Sequence, residues 1–556
     1  MTKTATFLVA VGLGVGGYMS LNDGGTESGL DRGNRNADDP MNKKPLPVPA
    51  KLIRGALPYA LKFTPKQYTD MPALPGVQAY VAVESGGKLL VIGGRAQGMH
   101  TFFHAPTPNF PASQANRQLL VIDPKTGQQW SFDVALLPAA LADPLQSSSQ
   151  QAWYDRKADQ MYIVGGYGWD SDKKDMVTFS TILRFPVGKL IAEIMSKDPA
   201  RPKTAAIRKL IESARDDRLA VTGGGLDKLG DRFYLSLGQK FTGEYRAFSA
   251  NTPKDKVPFT QTYTEQIGVF TLKPGSLDIL TFGRLTSSDP TNLHRRDGVI
   301  IADMDPSTAT PRIAAFGGVF KPGSTMGYSQ PIYINDNNGQ PSFTVDTRLE
   351  QKFSQYRCPV ITVLDDANHV VYHTFFGGIS HHYFHQTPEQ KKVYDLANSQ
   401  TRGDGVPFIG DVTTVAQKKD GSYAQFILPD PIPKVNIPPD VSEQLFGPKG
   451  FPQYKVDNTN LIGASGDFLL NSQLIKSNQA YDNDVIRLSK FDKGKTVTLG
   501  YIYGSITAVF PYALIPNRGT FPGNTIFEVT LTYSPTDAYP GDAGIPANPT
   551  GNAWVR

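Results

Sequence analysis

A strand that ends in two glycines recurs along this chain. Residues 89–94 read LLVIGG, 161–166 MYIVGG, 313–318 IAAFGG and 373–378 HTFFGG. A degenerate copy, FYLSLG, occupies 233–238, and YIYGS at 501–505 is a last echo. The final glycines of the first five copies lie 72, 72, 80 and 60 residues apart. One repeated supersecondary unit with loops of variable length produces a period held this loosely. The 556 residues therefore read mainly as one repeat array rather than several unrelated domains.

Each clear copy has a second strand-like run one hairpin upstream, at 77–84, 150–154, 298–303 and 359–364. Turn formers connect them, as in SGG and DDANH. Further strands follow, such as 117–122 and 128–132 around DPKTG, or 266–272 and 277–282 around KPGS. Two hairpins per repeat predict a four-stranded unit. The 126 residues from Gly378 to Gly504 span about two intervals, with strand pairs expected at 411–417 plus 422–428 and at 484–488 plus 496–503. TIFEVTLTY at 525–533 is a further strand able to close a ring, which matters because an open array exposes strand edges.

These marks resemble the kelch family of β-propellers, in which a blade's second strand ends in a double glycine. The resemblance implies an all-β fold of six blades, with seven as the alternative, and a frequent binding face on the rim that carries the loops after the glycines. No regular Tyr–Trp pair follows the glycines, and the chain has four tryptophans. Short helical insertions are predicted at 189–195 and 205–214, after the second blade, and at 388–398; 429–452 reads as a proline-rich loop.

The loops after the glycines are chemically rich, and loops on a rigid scaffold are where binding residues concentrate. Arg95, His100, His104, Tyr167, Trp169, Lys240, His381, His382 and His385 are the candidate ligand-binding residues, with Asp170, Glu244, Tyr245 and Lys321 nearby in sequence. Five of the eight histidines fall there. They either converge on a metal or anionic ligand, or pack in aromatic-rich loops; no metal or other cofactor is assigned. Arg295, Arg296 and Asp297 open one first strand, and Tyr356 and Arg357 stand at the matching place in the next. Arginines there can clamp a carboxylate or sulfate, or tie blades together.

The copper radical oxidases that resemble galactose oxidase are relatives of this family. They need a tyrosine–cysteine cross-link, a Tyr-His pair and a histidine near the C-terminus. Cys358 and Tyr372–His373 are present, but no histidine follows His385. NDNNG at 335–339 lacks the alternating carboxylates of a calcium loop and reads as a hairpin turn. A single cysteine allows no intrachain disulfide. The net charge of +5 comes without a basic block interleaved with aromatics, which argues against nucleic acid as a partner.

At the N-terminus, Lys3 precedes an apolar stretch over residues 5–21, the pattern of a secretory signal or an uncleaved anchor. Gly12, Gly14 and Gly17 match a dinucleotide-binding pattern but precede a polar, Gly-rich segment instead of a helix. The predicted organisation is a signal or anchor at 1–21, a Pro/Gly/Asp-rich linker at 22–74, the propeller at 75–533 and an extended tail at 534–556. The functional expectation is an exported protein that binds a partner protein or carbohydrate through one face, with any membrane contact confined to the N-terminal anchor. A propeller-type enzyme acting on a sugar or other small polar substrate, as isomerase, hydrolase or oxidase, is the alternative.

Overall fold

Short runs such as VAVES and KLLVI, mostly buried and rich in β-branched and aliphatic residues, pair as hairpins throughout the chain. The computed structural model describes residues 57–534, except 70, 101–108, 199–202, 247–256, 323–326, 387–392, 399–406, 429, 447–455 and 512–518, and also 52–53 and 554–555. In it the hairpins assemble into six antiparallel blades, with strands A to D numbered outward from the axis. Blade one is Val81–Ser85, Lys88–Ile92, Gln118–Ile122 and Gln129–Asp133; blade two is Gln151–Asp155, Gln160–Val164, Thr181–Pro186 and Glu212–Arg215. Blade three is Gly225–Leu229, Arg232–Ser236, Ile267–Leu272 and Ile279–Leu285; blade four is Val299–Met304, Pro311–Phe316, Ile332–Asn337 and Gln340–Val345. Blade five is Val360–Asp365, Val370–Ile379, Phe408–Lys418 and Tyr423–Ile427. Blade six takes Asp467–Leu470, Thr496–Tyr503 and Ile526–Tyr533, and its strand D is Tyr59–Pro65, from the start of the chain.

The ring is closed. Each A strand touches the A strand of the next blade, through six and back to one. A circle of backbone hydrogen bonds marks the same closure. The Ala79 N–H donates to Ser465, Ser149 to Ala79, Gly223 to Ser149, Asp297 to Gly223, Arg357 to Asp297 and Ser465 to Arg357, all at 2.6–3.1 Å. Six apolar clusters fill the six seams between blades, so the core lies between the blades and not on the axis.

The double glycine is the joint of each seam. In all six blades the pair takes left-handed backbone, with φ of 60–74° at the first position and 84–104° at the second, including Leu237–Gly238 and Gly504–Ser505. In five blades the N–H of the second residue donates to a carbonyl of the next blade, for example Gly94 to Ser147 and Gly166 to Val221, both at 2.9 Å. A Cβ on Gly165 would lie 2.0 Å from the Val221 carbonyl oxygen. Gly165→Ala is therefore expected to cost roughly 1–3 kcal/mol in urea unfolding. Gly230→Ala, at φ +59° but with nothing within 4 Å, should cost less.

Several expectations are corrected. The stretch at 22–74 is not all linker, because 59–65 completes blade six. The predicted helical excursion lies inside blade two, between strands C and D: helices span Val187–Met195 and Lys203–Leu210, and 212–215 is strand D. Residues 393–398 form a strand beside His382–Gln386, not a helix. The 429–452 stretch contains the helix Pro439–Phe446. Strands 408–418 and 423–427 finish blade five. The inner strand of blade six is 467–470; of the expected 484–488 only Ile486–Arg487 is a strand, paired parallel to blade five. NDNNG is a hairpin turn, with Asn338 and Gly339 at positive φ. Residues 1–21, and the tail beyond 534 apart from 554–555, lie outside the described residues. No described helix is long and apolar enough to cross a membrane.

Candidate functional site

Antiparallel pairing puts the end of every B strand beside the start of its A strand, so all six B–C connections leave on one face of the ring. The first residue after the glycine pair does not enter an open loop. It bridges back to the residue before the hydrogen-bonded circle: Arg95 to Gln78, Tyr167 to Ser148, Gln239 to Thr222 and Val319 to Arg296. This seam buries two of the candidate residues. Arg95 is 2% exposed, lies over the Phe110 ring and donates to the Pro111 carbonyl; with no carboxylate beside it among the described residues, burial brings its pKa down to about 10. Tyr167 donates its hydroxyl hydrogen to Gly243 at 2.7 Å.

Two of these connections build a platform. Hairpins Tyr167–Asp170 with Asp175–Thr178 and Gln239–Gly243 with Phe259–Tyr263 join edge to edge into one four-stranded sheet over blades two and three. By register Trp169, Phe241 and Tyr263 fall on one side of it and exposed Lys240 on the other, so Trp169 and Lys240 do not share a surface. His100 packs between Phe110 and Tyr245 at centroid distances of 5.1 and 5.3 Å. His381 Nε2 meets the Gly327 carbonyl at 2.7 Å and His382 Nδ1 the Lys352 carbonyl at 3.1 Å. Burial brings the His382 pKa down to about 4 and lowers that of His381 as well. His100 belongs to blade one, His381 and His382 to blade five. His385 lies in the strand His382–Gln386, and His104 falls outside the described residues. Among the described residues no three His, Cys, Asp or Glu side chains gather as a metal site.

The residues just before the hydrogen-bonded circle ring the axial mouth on this face: Gln78, Ser148, Thr222, Arg296, Tyr356 and Ala464. Two are large and polar, and they are neighbours. The Arg296 guanidinium lies between aromatic rings, 5.1 Å from the Phe320 centroid and 6.0 Å from that of Tyr263. Its Nη1 donates to Gln239 Oε1 at 2.9 Å, and Gln261 Nε2 holds the same oxygen at 2.5 Å. Nε is buried without a hydrogen-bond partner and makes an ion pair with Asp297 at 3.6 Å. The side chain keeps 16% of its surface exposed. Tyr263 is fixed from behind by His294, stacked at 3.7 Å and itself 2.7 Å from Glu265. Burial raises the Asp297 carboxyl against the pull of Arg296 and Arg357.

The neighbouring arginines serve the frame. Arg295, 1% exposed, donates to the carbonyls of Asn292 and Gln330 and lies 4.1 Å over Tyr328. Arg357 pairs with Asp467 at 2.7 Å, joining blades five and six. His373 Nε2 is 3.1 Å from buried Asp303, and Cys358 is buried beside Gly378. Phe320, Tyr263 and Gln239 were not singled out from the sequence. The available signal was positional, since each sits one to three residues from a glycine mark or inside a hairpin that follows one.

No family model matches the sequence, and no curated protein does. Among solved structures the chain is similar to one titled "Structure of YjhT", with 9% identity and a TM-score of 0.42, covering 83% of this chain and 99% of that one. The fold is a β-propeller.

Proposed function

We propose that the chain is an extracytoplasmic binding protein. Its ligand is a carbohydrate bearing a carboxylate or sulfate, held at the axial mouth on the face of the glycine marks. The observation that carries this reading is the Arg296 guanidinium: held between Phe320 and Tyr263, fixed by Gln239 and Asp297, and still partly exposed at the mouth. A pre-positioned guanidinium recognises an oxyanion by charge-assisted hydrogen bonds, and flanking aromatic faces suit the apolar side of a sugar ring. The apolar stretch at 5–21 supports export. Arg95, Tyr167, His381 and His382 support the loops around this mouth, which is a positioning part in the same site.

Calorimetric titration with a hexuronate and with the matching neutral hexose tests the reading. The hexuronate is expected to bind more tightly, and Arg296→Ala to weaken it by roughly 10- to 100-fold, the worth of one hydrogen bond to a charged group. Equal affinity for acid and neutral sugar, or an unchanged Arg296→Ala variant, would reject it. A second reading rests on Asp297 itself, set between Arg296 and Arg357 with the Tyr356 phenol near it. A buried carboxyl raised above its ordinary value, next to a phenol, can move protons on a bound sugar. Nuclear magnetic resonance of the sugar with native protein and with Asp297→Asn separates an enzyme from a pure binder.

A further inference from the structure

The axis holds a second hollow on the other side of the hydrogen-bonded circle. A cavity of about 280 Å³ is walled by the A strands of all six blades. Its outer mouth lies on the face of the A–B turns, away from Arg296. There residues 482–484, from the long A–B connection of blade six, cross the opening. Tyr481 and Val485 pack against Met304 and Leu364 of blades four and five, while Asp484 pairs with Arg156 and Asp482 with Lys157 of blade two, the latter at 2.6 Å.

The charges on the wall do not balance. Arg156 is committed to Asp484 and Arg357 to Asp467. Glu84 is 1% exposed and accepts the backbone N–H groups of Gly87 and Ser472. Asp227, in strand A of blade three, is 8% exposed and accepts only the N–H of Lys228, at 2.7 Å. The Lys228 ammonium does not reach it, lying instead over the rings of Trp153 and Phe233 at 5.0 and 5.3 Å. Among the described residues no cation pairs with Asp227. A carboxylate this buried, facing a cavity without a counter-charge, works against the fold. Side chains that break such a rule gather where a ligand supplies what is missing.

We propose that this cavity is a binding site for a small organic cation, with Asp227 as the anion that its ammonium or guanidinium group meets. The rest of the wall carries both polar and apolar surface, the latter from residues such as Ile301 and Ala302, and accommodates a short alkyl chain behind the charge. The volume admits about ten water-sized groups at roughly 30 Å³ each, enough for a small organic cation. Burial pushes the Asp227 carboxyl up to about 7, opposed by the Lys228 N–H and reinforced by Asp484. The empty site is thus protonated in acid and charged above neutrality. The other ionisable groups lining the cavity are Glu84, Arg156, Arg357, Asp467, Asp482 and Asp484, held in the contacts described above, with Tyr154, which donates to Asp159 at 2.8 Å, and buried Cys358, so Asp227 sets the pH response.

Calorimetric titration with n-butylammonium, guanidinium and neutral 1-butanol, at pH 6 and pH 8, tests the proposal. Butylammonium is expected to bind better than butanol, and at least several-fold better at pH 8 than at pH 6. Asp227→Asn, which keeps the shape and removes the charge, should weaken the amine at least tenfold and abolish the pH response. Its melting temperature at pH 8 should match or exceed that of the native protein, which separates lost binding from lost fold. Arg296→Ala should leave amine binding unchanged, so this site and the sugar site succeed or fail separately. No preference for amine over alcohol, or full amine affinity in Asp227→Asn, would overturn it.

Discussion

Arg312→Leu is expected to destabilise the protein by about 3–5 kcal/mol, the cost of leaving a buried charge without its partner. Asp303, on strand A of blade four, is fully buried between the Arg312 guanidinium at 2.7 Å and the His373 imidazole at 3.1 Å. Arg312 also lies 3.9 Å over the Tyr333 ring and donates to Gln417, so the group ties blade four to blade five. Burial alone would raise the Asp303 carboxyl, but the Arg312 guanidinium and the hydrogen bond from His373 hold it below its ordinary value. Its contribution is therefore present above the pKa of an unfolded aspartate and is lost as pH falls through the depressed folded value. In Arg312→Leu the sign reverses, because Asp303, left with the His373 imidazole alone, becomes harder to ionise, and the variant should be least impaired in acid. Asp303→Leu combined with Arg312→Leu should recover much of the loss, since replacing both partners by apolar groups removes the orphan charge. Urea unfolding of the two single variants and the double between pH 4 and pH 8 measures this. Simple additivity of the two losses would show that the charges act independently.

The ring was legible because its joint is chemically demanding. A backbone at positive φ, pressed against the next blade, selects glycine so strongly that four of six joints kept both, and the strands before them could be read directly. The degenerate joints LG and GS adopt the same conformation, but leucine and serine there carry no signal on their own. The helix at 205–214 was over-extended because Ile207, Leu210 and Ile211 satisfy helical spacing while 212–215 is held by pairing with strand C, a tertiary contact. At the candidate site, the sequence pointed to the loops after the glycines and to Arg296 and Tyr356 alike. Arg95 and Tyr167 turned inward because the first residue after each joint bridges back to the residue that leads into strand A of its own blade, a constraint set by the fold and not by neighbouring residues. Asp227 was overlooked because DKL in a hairpin reads as an exposed turn flank. Only closure of six blades turns that position toward an axis.

The strand at 59–65 was overlooked for a related reason, although its pattern was visible: in YALKFTP, Tyr59, Leu61 and Phe63 are buried while Ala60 and Lys62 are exposed. Its partner, Ile526–Tyr533, lies more than 450 residues away, and no local signal says that an N-terminal strand must finish the last blade. Deleting residues 1–66 should therefore be far more damaging than deleting residues 1–50. The longer deletion removes four buried side chains, Leu57, Tyr59, Leu61 and Phe63, worth roughly 6–12 kcal/mol together at 1.5–3 each. That is comparable to the whole stability of a typical domain. It also strips the Lys66–Glu528 ion pair at 2.7 Å and leaves the Ile526–Tyr533 strand as an open edge. The 67–556 protein is expected to be aggregated or unfolded at temperatures where 51–556 remains soluble with cooperative unfolding, as followed by circular dichroism and size-exclusion chromatography. Adding a synthetic peptide of residues 57–66 to freshly refolded 67–556 should recover part of the soluble fraction, because the missing strand can pair from outside. Equal stability of the two truncated proteins would mean that the ring holds without its N-terminal strand.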